Sequence, residues 1–339
     1  MVDQKTQFLS LLPGRPVPRI WFGAWAIGGW HWGGPNDTAS QQALLHAFEQ
    51  GITAVDTAPI YGFGHSETLI GKALRALPFD LRKQAFIATK FGLRWNGSGT
   101  PFFDTQHQGS SIHVTRNLSK VSILEECDAS LRRLDIEAID LYQVHWPEPG
   151  RPLEEVASAV ETLLAQGKIL AFGFCNWSVE NLIDWNKISR FRPTAIQEKF
   201  SLLNRKIETG LLQYTVKHQI PVLAYGTMAQ GLLAGAVPVE RVFEASDGRS
   251  RSRAFESGMR MKIREALDSL TDIAEKYRCS AAELAVAFAL CTAGISAALV
   301  GLRTLTQVDA INRAAQIPLE PGDYTRIRRT FEPLQFHGH

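Results

Sequence analysis

Four side chains in the first half of the chain, Asp56, Tyr61, Lys90 and His145, have the types needed to reduce a carbonyl. Hydride delivered to a carbonyl carbon leaves an alkoxide, which needs a proton donor that is neutral at rest. A tyrosine qualifies, but its ordinary pKa of about 10 makes it a weak acid. A neighbouring ammonium favours the phenolate and lowers that pKa, and a carboxylate keeps the ammonium charged and in place. Lys90 and Asp56 suit these two roles. A neutral imidazole at His145 can donate a hydrogen bond to the carbonyl oxygen and align it. A lysine at a strand end can instead serve as a Schiff-base nucleophile in a lyase, a reading that requires no dinucleotide.

Each of the four falls at or just after the end of a short β-branched or aromatic run. Eight such runs occur: Phe22–Gly28, Thr53–Asp56, Phe86–Lys90, Ile139–His145, Leu170–Cys175, Ala195–Lys199, Val222–Tyr225 and Ala298–Leu302. Between them lie helical patterns with readable caps. Asp37 and Thr38 precede Ser40–Gln50, Ser119 precedes Val121–Leu134, Ser178 precedes Val179–Ile188, and Ser280 precedes Ala281–Cys291. This alternation predicts an α/β fold, a (β/α)8 TIM barrel rather than an open doubly wound sheet, with the site at the C-terminal face. Residues 1–339 read as one domain. Two long segments, Trp95–Asn117 and Gly226–Arg253, read as loops over that face. Met261–Tyr277 and Pro321–Phe331 read as extra helices, and Gly62 and Gly64 as turn residues that position Tyr61. Trp30, Trp32, Trp95 and Trp146 read as the lining of an aromatic substrate pocket, and Arg249, Arg251 and Arg253 as three solvated arginines.

Composition narrows the partners. The net charge of +2 is too small for a nucleic-acid or membrane-surface binder, and basic residues are mostly mixed with acidic ones. Cys127, Cys175, Cys279 and Cys291 form no Cys-x-x-Cys pair and share no spacing with histidines, so neither a metal site nor a disulfide framework is expected. No apolar signal core opens the chain and no run approaches the roughly 18 apolar residues of a membrane span. A cytoplasmic protein acting on a small molecule is the expectation.

Three stretches, Gly51–Glu67, Phe86–Lys90 and Ile139–Pro147, together resemble the aldo-keto reductases. The similarity runs from about Gly23 to Ala314. It implies an NADP(H)-dependent enzyme that reduces aldehydes or ketones, with Asp56, Tyr61, Lys90 and His145 as the catalytic group and Tyr61 as the acid. It implies that Asn176 and Gln197 hold the nicotinamide carboxamide and that Tyr225 stacks on the nicotinamide ring. Trp25 and the segment Gly226, Thr227, Met228, Gln230 and Gly231 would line the cofactor, the latter wrapping its pyrophosphate. Gly301, Arg303 and Gln307 would meet the adenosine 2′-phosphate, a role that suits the planar donor fork of an arginine. Two departures stand out. Cys175 replaces the serine most relatives carry before the amide-bearing asparagine, and a thiol is the weaker donor. Ala310 and Ile311 replace a Glu-Asn pair near the adenine. The family also contains cofactor-binding partner proteins, such as the potassium-channel β subunits, which leaves a non-enzymatic role as the alternative.

Overall fold

The computed structural model describes residues 8–244 and 247–336, so the N-terminal heptapeptide, residues 245–246 of the long second loop and the last three residues lie outside the description. The chain opens with a hairpin, β1 (Phe8–Leu12) and β2 (Arg15–Pro18), which the sequence pattern does not announce. Eight parallel strands then close into a barrel: β3 (Ile20–Gly23), β4 (Ala54–Asp56), β5 (Phe86–Phe91), β9 (Leu141–Val144), β10 (Phe172–Cys175), β11 (Ala195–Lys199), β12 (Val222–Tyr225) and β13 (Ile295–Gly301). β6 (Leu93–Arg94), β7 (Thr100–His107) and β8 (Ser110–Arg116) form a separate antiparallel sheet between β5 and β9.

Pleat parity decides which residues enter the barrel, because successive strand side chains point to opposite faces. Trp21, Ala54, Phe86, Ala88, Leu141, Ala195, Leu223, Ala297 and Leu299 fill the interior. Their neighbours Phe22, Val55, Ile87, Tyr142 and Ile196 pack outward against the helices. Both faces are therefore buried, which is why the strands read as continuous apolar runs. Leu9, Leu11 and Val17 of the first hairpin close the N-terminal end of the same interior.

The outer ring contains α1 (Asp37–Glu49), α2 (His65–Ala76), α3 (Phe79–Gln84), α4 (Lys120–Leu134), α5 (Leu153–Ala165), α6 (Val179–Ile188) and α7 (Leu211–Lys217). It continues with α8 (Ser257–Asp268), α9 (Thr271–Lys276), α10 (Ala281–Cys291), α11 (Leu305–Ile311) and α12 (Pro321–Thr330). Ser119, Ser178 and Ser280 are N-caps as expected, and Ser280 forms a capping box with Glu283. The cap of α1 is Asn36, one residue before the expected Asp37.

Four expectations need correction. The first barrel strand ends at Gly23 rather than Gly28, and the chain passes into a 3-10 turn at Ala26–Gly28. That turn packs directly on the Tyr61 backbone, where a Cβ on Gly28 would stand 2.7 Å from the Tyr61 carbonyl carbon. Trp95–Asn117 is no plain loop, since most of it is the β7–β8 hairpin. Met261–Tyr277 is two helices, because the Ser269 and Thr271 hydroxyls take the Ala266 and Asp268 carbonyls at the junction. Arg249 is buried rather than solvated: Asp247 accepts its Nε and Nη2, and it lies over the Trp32 and Phe243 rings. Arg251 and Arg253 are exposed.

Candidate active site

Parity carries Asp56, Lys90, Gln143, Cys175, Gln197 and Tyr225 to the top layer of the barrel interior; all but Cys175, which follows Gly173, lie two residues beyond an inward apolar position. Gln143 stands opposite Lys90 in the β5–β9 register, and Cys175 opposite Gln197 in the β10–β11 register. His145 follows β9 in the same parity. Tyr61 comes from the turn after β4, where Gly62 and Gly64 have φ of +66° and +95°. A Cβ on Gly62 would meet the Gly28 carbonyl oxygen at 2.2 Å, so this turn tolerates only glycine.

Lys90 Nζ donates to Asp56 Oδ2 at 2.7 Å, to the Thr57 carbonyl at 2.9 Å and to Tyr61 Oη at 3.2 Å. An ammonium has three donors, and all are used. Lys90 and Asp56 are almost wholly buried. Burial works against the charged Lys90, but Asp56 and then Tyr61 outweigh it and raise the ammonium above its ordinary range. A protonated, fully bonded lysine is no Schiff-base nucleophile, so the lyase reading loses its reacting group.

Lys90 makes Tyr61 more acidic, as expected, but burial has the larger effect on the phenol. Burial pushes the phenol up to about 12, although Lys90 pulls it down. His145 is held well below 6.5, first by burial and then by the Lys90 charge, so its imidazole is neutral. The Tyr61 and His145 rings meet edge to face at 5.8 Å.

Beneath this group lies a polar ring of Asp56, Gln197, Cys175 and Gln143, of which the sequence reading did not include Gln143. Gln197 Nε2 donates to Asp56 Oδ1 at 2.7 Å, and Gln143 Nε2 reaches the same oxygen at 3.4 Å. Gln143 Oε1 accepts from Gln197 Nε2 at 3.5 Å and from the Cys175 thiol at 3.8 Å. Gln143 is wholly buried. A polar residue inside an otherwise apolar strand, two positions before His145, was the available signal.

The remaining expected residues divide into two groups. Asn176, at φ +59°, donates from Nδ2 to the His145 carbonyl at 3.0 Å and accepts the Tyr225 hydroxyl at 2.8 Å. Trp25 stands edge-on to Trp32 at 5.3 Å and 6.3 Å from Tyr61. After β12 the backbone turns through left-handed positions at Gly226, Ala229, Gln230 and Gly231, and the Thr227 hydroxyl is buried without a partner. Arg303 lies across the barrel mouth, donating to the Trp32 and Gly34 carbonyls at 3.3 Å each, while Gln307 Oε1 accepts the Arg303 backbone N–H at 2.8 Å. Space is open where a Gly301 side chain would be. Of the four tryptophans, Trp30, Trp95 and Trp146 join Tyr61, Phe63, Phe102 and Phe103 in one aromatic cluster over the face. Trp32 instead packs on Trp25 and beneath Arg249.

The chain is similar to known proteins over nearly its whole length. Residues 19–332 match the model of the Aldo/keto reductase family. The chain is 34% identical over 320 residues to the aldo-keto reductase YhdN of Bacillus subtilis, covering 94% of this chain and 91% of that one. It is 32% identical over 324 residues to the NADH-specific methylglyoxal reductase of Escherichia coli, covering 94% and 96%. The glycerol dehydrogenase AKR11B4 of Gluconobacter oxydans superposes with a TM-score of 0.85 at 34% identity, covering 98% and 96% of the two chains. Fold and sequence agree, and the chain belongs to the aldo/keto reductase family of oxidoreductases.

Proposed function

We propose that the protein reduces aldehydes or ketones to alcohols with NADP(H), Tyr61 giving the proton. The contact from Lys90 Nζ to Tyr61 Oη within the buried Asp56 pair carries this reading. The bound dinucleotide supplies the hydride. Neutral His145 donates to the carbonyl oxygen, and Tyr61 transfers its hydroxyl proton to the same oxygen as charge develops there. A phenol at about 12 is still far more acidic than an alcohol, whose pKa is comparable with the 15.7 of water, so the transfer runs downhill. Lys90 and Asp56 then hold the phenolate until a proton returns from solvent.

The residues around the mouth fit a dinucleotide. Thr227 Oγ1 and Trp32 Nε1 are buried without partners, as donors kept for a bound group would be. Asn176 has one amide N–H, and Gln197 its carbonyl oxygen, beyond the bonds described, which suits a carboxamide. Tyr225 offers its ring from the top layer, and Trp25, Met228 and Gln230 border the same path. Arg303 supplies the cation for a 2′-phosphate, with Gly301 leaving room and Gln307 fixing its backbone. The Escherichia coli relative is NADH-specific, so the preference of this chain for NADPH is a property to be measured on it directly.

The test pairs activity with binding. Wild type should oxidise NADPH when given simple aldehydes. Tyr61→Phe should bind NADPH with nearly the wild-type affinity in a fluorescence titration while turnover falls by several orders of magnitude. A variant keeping more than about a tenth of wild-type turnover, with chemistry rate-limiting, would remove Tyr61 from the role of acid.

A further inference from the structure

The β7–β8 hairpin brings an arginine to the aromatic cluster that no carboxylate among the described residues pairs with. Arg116 occupies the root of β8, on the face that carries Ile112 and Val114, and opposite buried Leu93 in the β6–β8 register. Its Nη1 donates to the Pro147 carbonyl at 3.2 Å, and its guanidinium lies 4.8 Å over the Phe102 ring. Its Nε is buried and has no partner. The other buried or half-buried arginines among the described residues each reach a carboxylate, as Arg133 reaches Glu67, or at least two backbone carbonyls, as Arg19 does. Glu148, next to Pro147, is the carboxylate nearest in sequence to that contact, and it is already engaged. Its Oε1 accepts from Thr100, and its Oε2 accepts from the Leu118 N–H and from Arg151.

The path from this cation to the reacting group is short and apolar. Phe102 touches Trp146 at 5.6 Å, Trp146 directly follows His145, and His145 meets Tyr61 at 5.8 Å. One hydrophobic cluster holds Tyr61, Phe102 and Trp146 together. A guanidinium with unused donors at the far end of an aromatic wall is placed to read an oxyanion, since its fork pairs with carboxylate or phosphate and its cost of desolvation is partly met by the ring beneath it.

We propose that Arg116 recognises an anionic group, a carboxylate or a phosphate, carried by the carbonyl substrate at the far end of a short apolar or aromatic body. This rests on the reductase reading above and names its substrate class: aldehydes or ketones that bear a remote negative charge. Tyr61 and His145 take the carbonyl oxygen, the aromatic wall takes the body, and Arg116 takes the charge.

Three probes decide it: 4-formylbenzoate, its neutral methyl ester, and 4-formylphenyl phosphate, each assayed by cofactor consumption with wild type, Arg116→Leu and Arg116→Lys. In wild type, kcat/KM for the anionic aldehydes should exceed that for the ester by about ten- to a hundredfold, the range of a hydrogen bond to a charged group. Arg116→Leu should collapse that ratio, chiefly through KM, and Arg116→Lys should restore part of it. Which of the two anions gains more identifies the group read. An equal loss for anion and ester would mean that Arg116 only ties the hairpin to Pro147, and a wild type without anionic preference would overturn the proposal while leaving the reductase reading intact. Reduction of none of the three probes would overturn both.

Discussion

At the scale of single residues, Tyr61 shows two influences whose balance sets the pH behaviour. Burial raises the phenol more than Lys90 lowers it, so the hydroxyl stays protonated up to about pH 12. The raised value means that the proton is present throughout the working range, and His145 is neutral well below 6.5. Carbonyl reduction limited by chemistry should therefore be flat between about pH 6.5 and 9, whereas alcohol oxidation, which needs the phenolate, should rise with pH across that window. A reduction rate that falls tenfold per pH unit above 8 would show a far lower Tyr61 pKa. Gln143 acts through Asp56, to which it donates while its own oxygen accepts from Gln197 and Cys175. Gln143→Leu should lower kcat by about tenfold, the size expected for one hydrogen bond to a charged group, with little change in cofactor affinity. Unchanged kcat would mean that Gln197 alone orients Asp56. Arg303→Ala should weaken NADPH by about ten- to a hundredfold and NADH much less, because only NADPH carries the phosphate. Equal losses in a titration of both cofactors would assign Arg303 to holding the Trp32–Gly34 turn.

At the scale of elements, legibility followed burial. Strands buried on both faces stood out as apolar runs, and their ends marked Asp56, Lys90 and His145 because parity turns those positions inward. The β7–β8 hairpin was hidden, since much of its surface meets solvent and its composition resembles a loop. Its one local signal was Gln108-Gly109, where both residues take positive φ in a two-residue turn between His107 and Ser110. Arg249 was misread because its burial depends on a fold-back onto Asp247 and on Trp32, a ring from a distant segment that covers it together with Phe243. The contact of α4 with β5 also carried a feature that composition could not show. Glu126, on α4, is buried and accepts the Gly92 N–H at 3.0 Å and the Ser122 hydroxyl at 3.1 Å. Burial raises it to about 8, against the pull of the Gly92 N–H and of Arg94. The folded state then binds the proton more tightly than the unfolded chain, so stability is present below about pH 4.5 and is lost as pH rises toward 8. Glu126→Gln, which cannot ionise and can still meet Ser122 and Gly92, should show a smaller drop in Tm between pH 6.5 and 8.5 than wild type. An identical drop in thermal melts of both proteins would place that pH dependence elsewhere.

At the scale of the whole molecule, the barrel keeps its chemistry and its closure at opposite ends. The C-terminal face holds the polar layer, the aromatic wall and Arg303, while the N-terminal face is sealed by the β1–β2 hairpin. Leu9, Leu11 and Val17 insert among Trp21, Ala54, Phe86 and Leu141, so the hairpin works as the last layer of the interior. Arg15 fastens it from outside by pairing with Asp140 and donating to the Ala85 carbonyl. Asp140 in turn accepts the Ile87 N–H at 2.6 Å, which links the plug to β5, the strand that ends in Lys90. Conservation of geometry at one end and of stability at the other is the usual division in such barrels. Leu11→Ala removes three buried carbons and leaves a cavity beneath Trp21, at a cost of about 2–4 kcal/mol. That loss should lower Tm and the denaturant midpoint, while kcat and KM measured well below the melting transition stay at wild-type values, because several residues of each strand separate the plug from Lys90 and Tyr61. Equal stability in urea would mean that the hairpin packs too loosely to close the barrel. A large fall in kcat at unchanged cofactor affinity, with the variant still folded, would show instead that strain at the sealed end reaches Lys90 through Asp140 and β5.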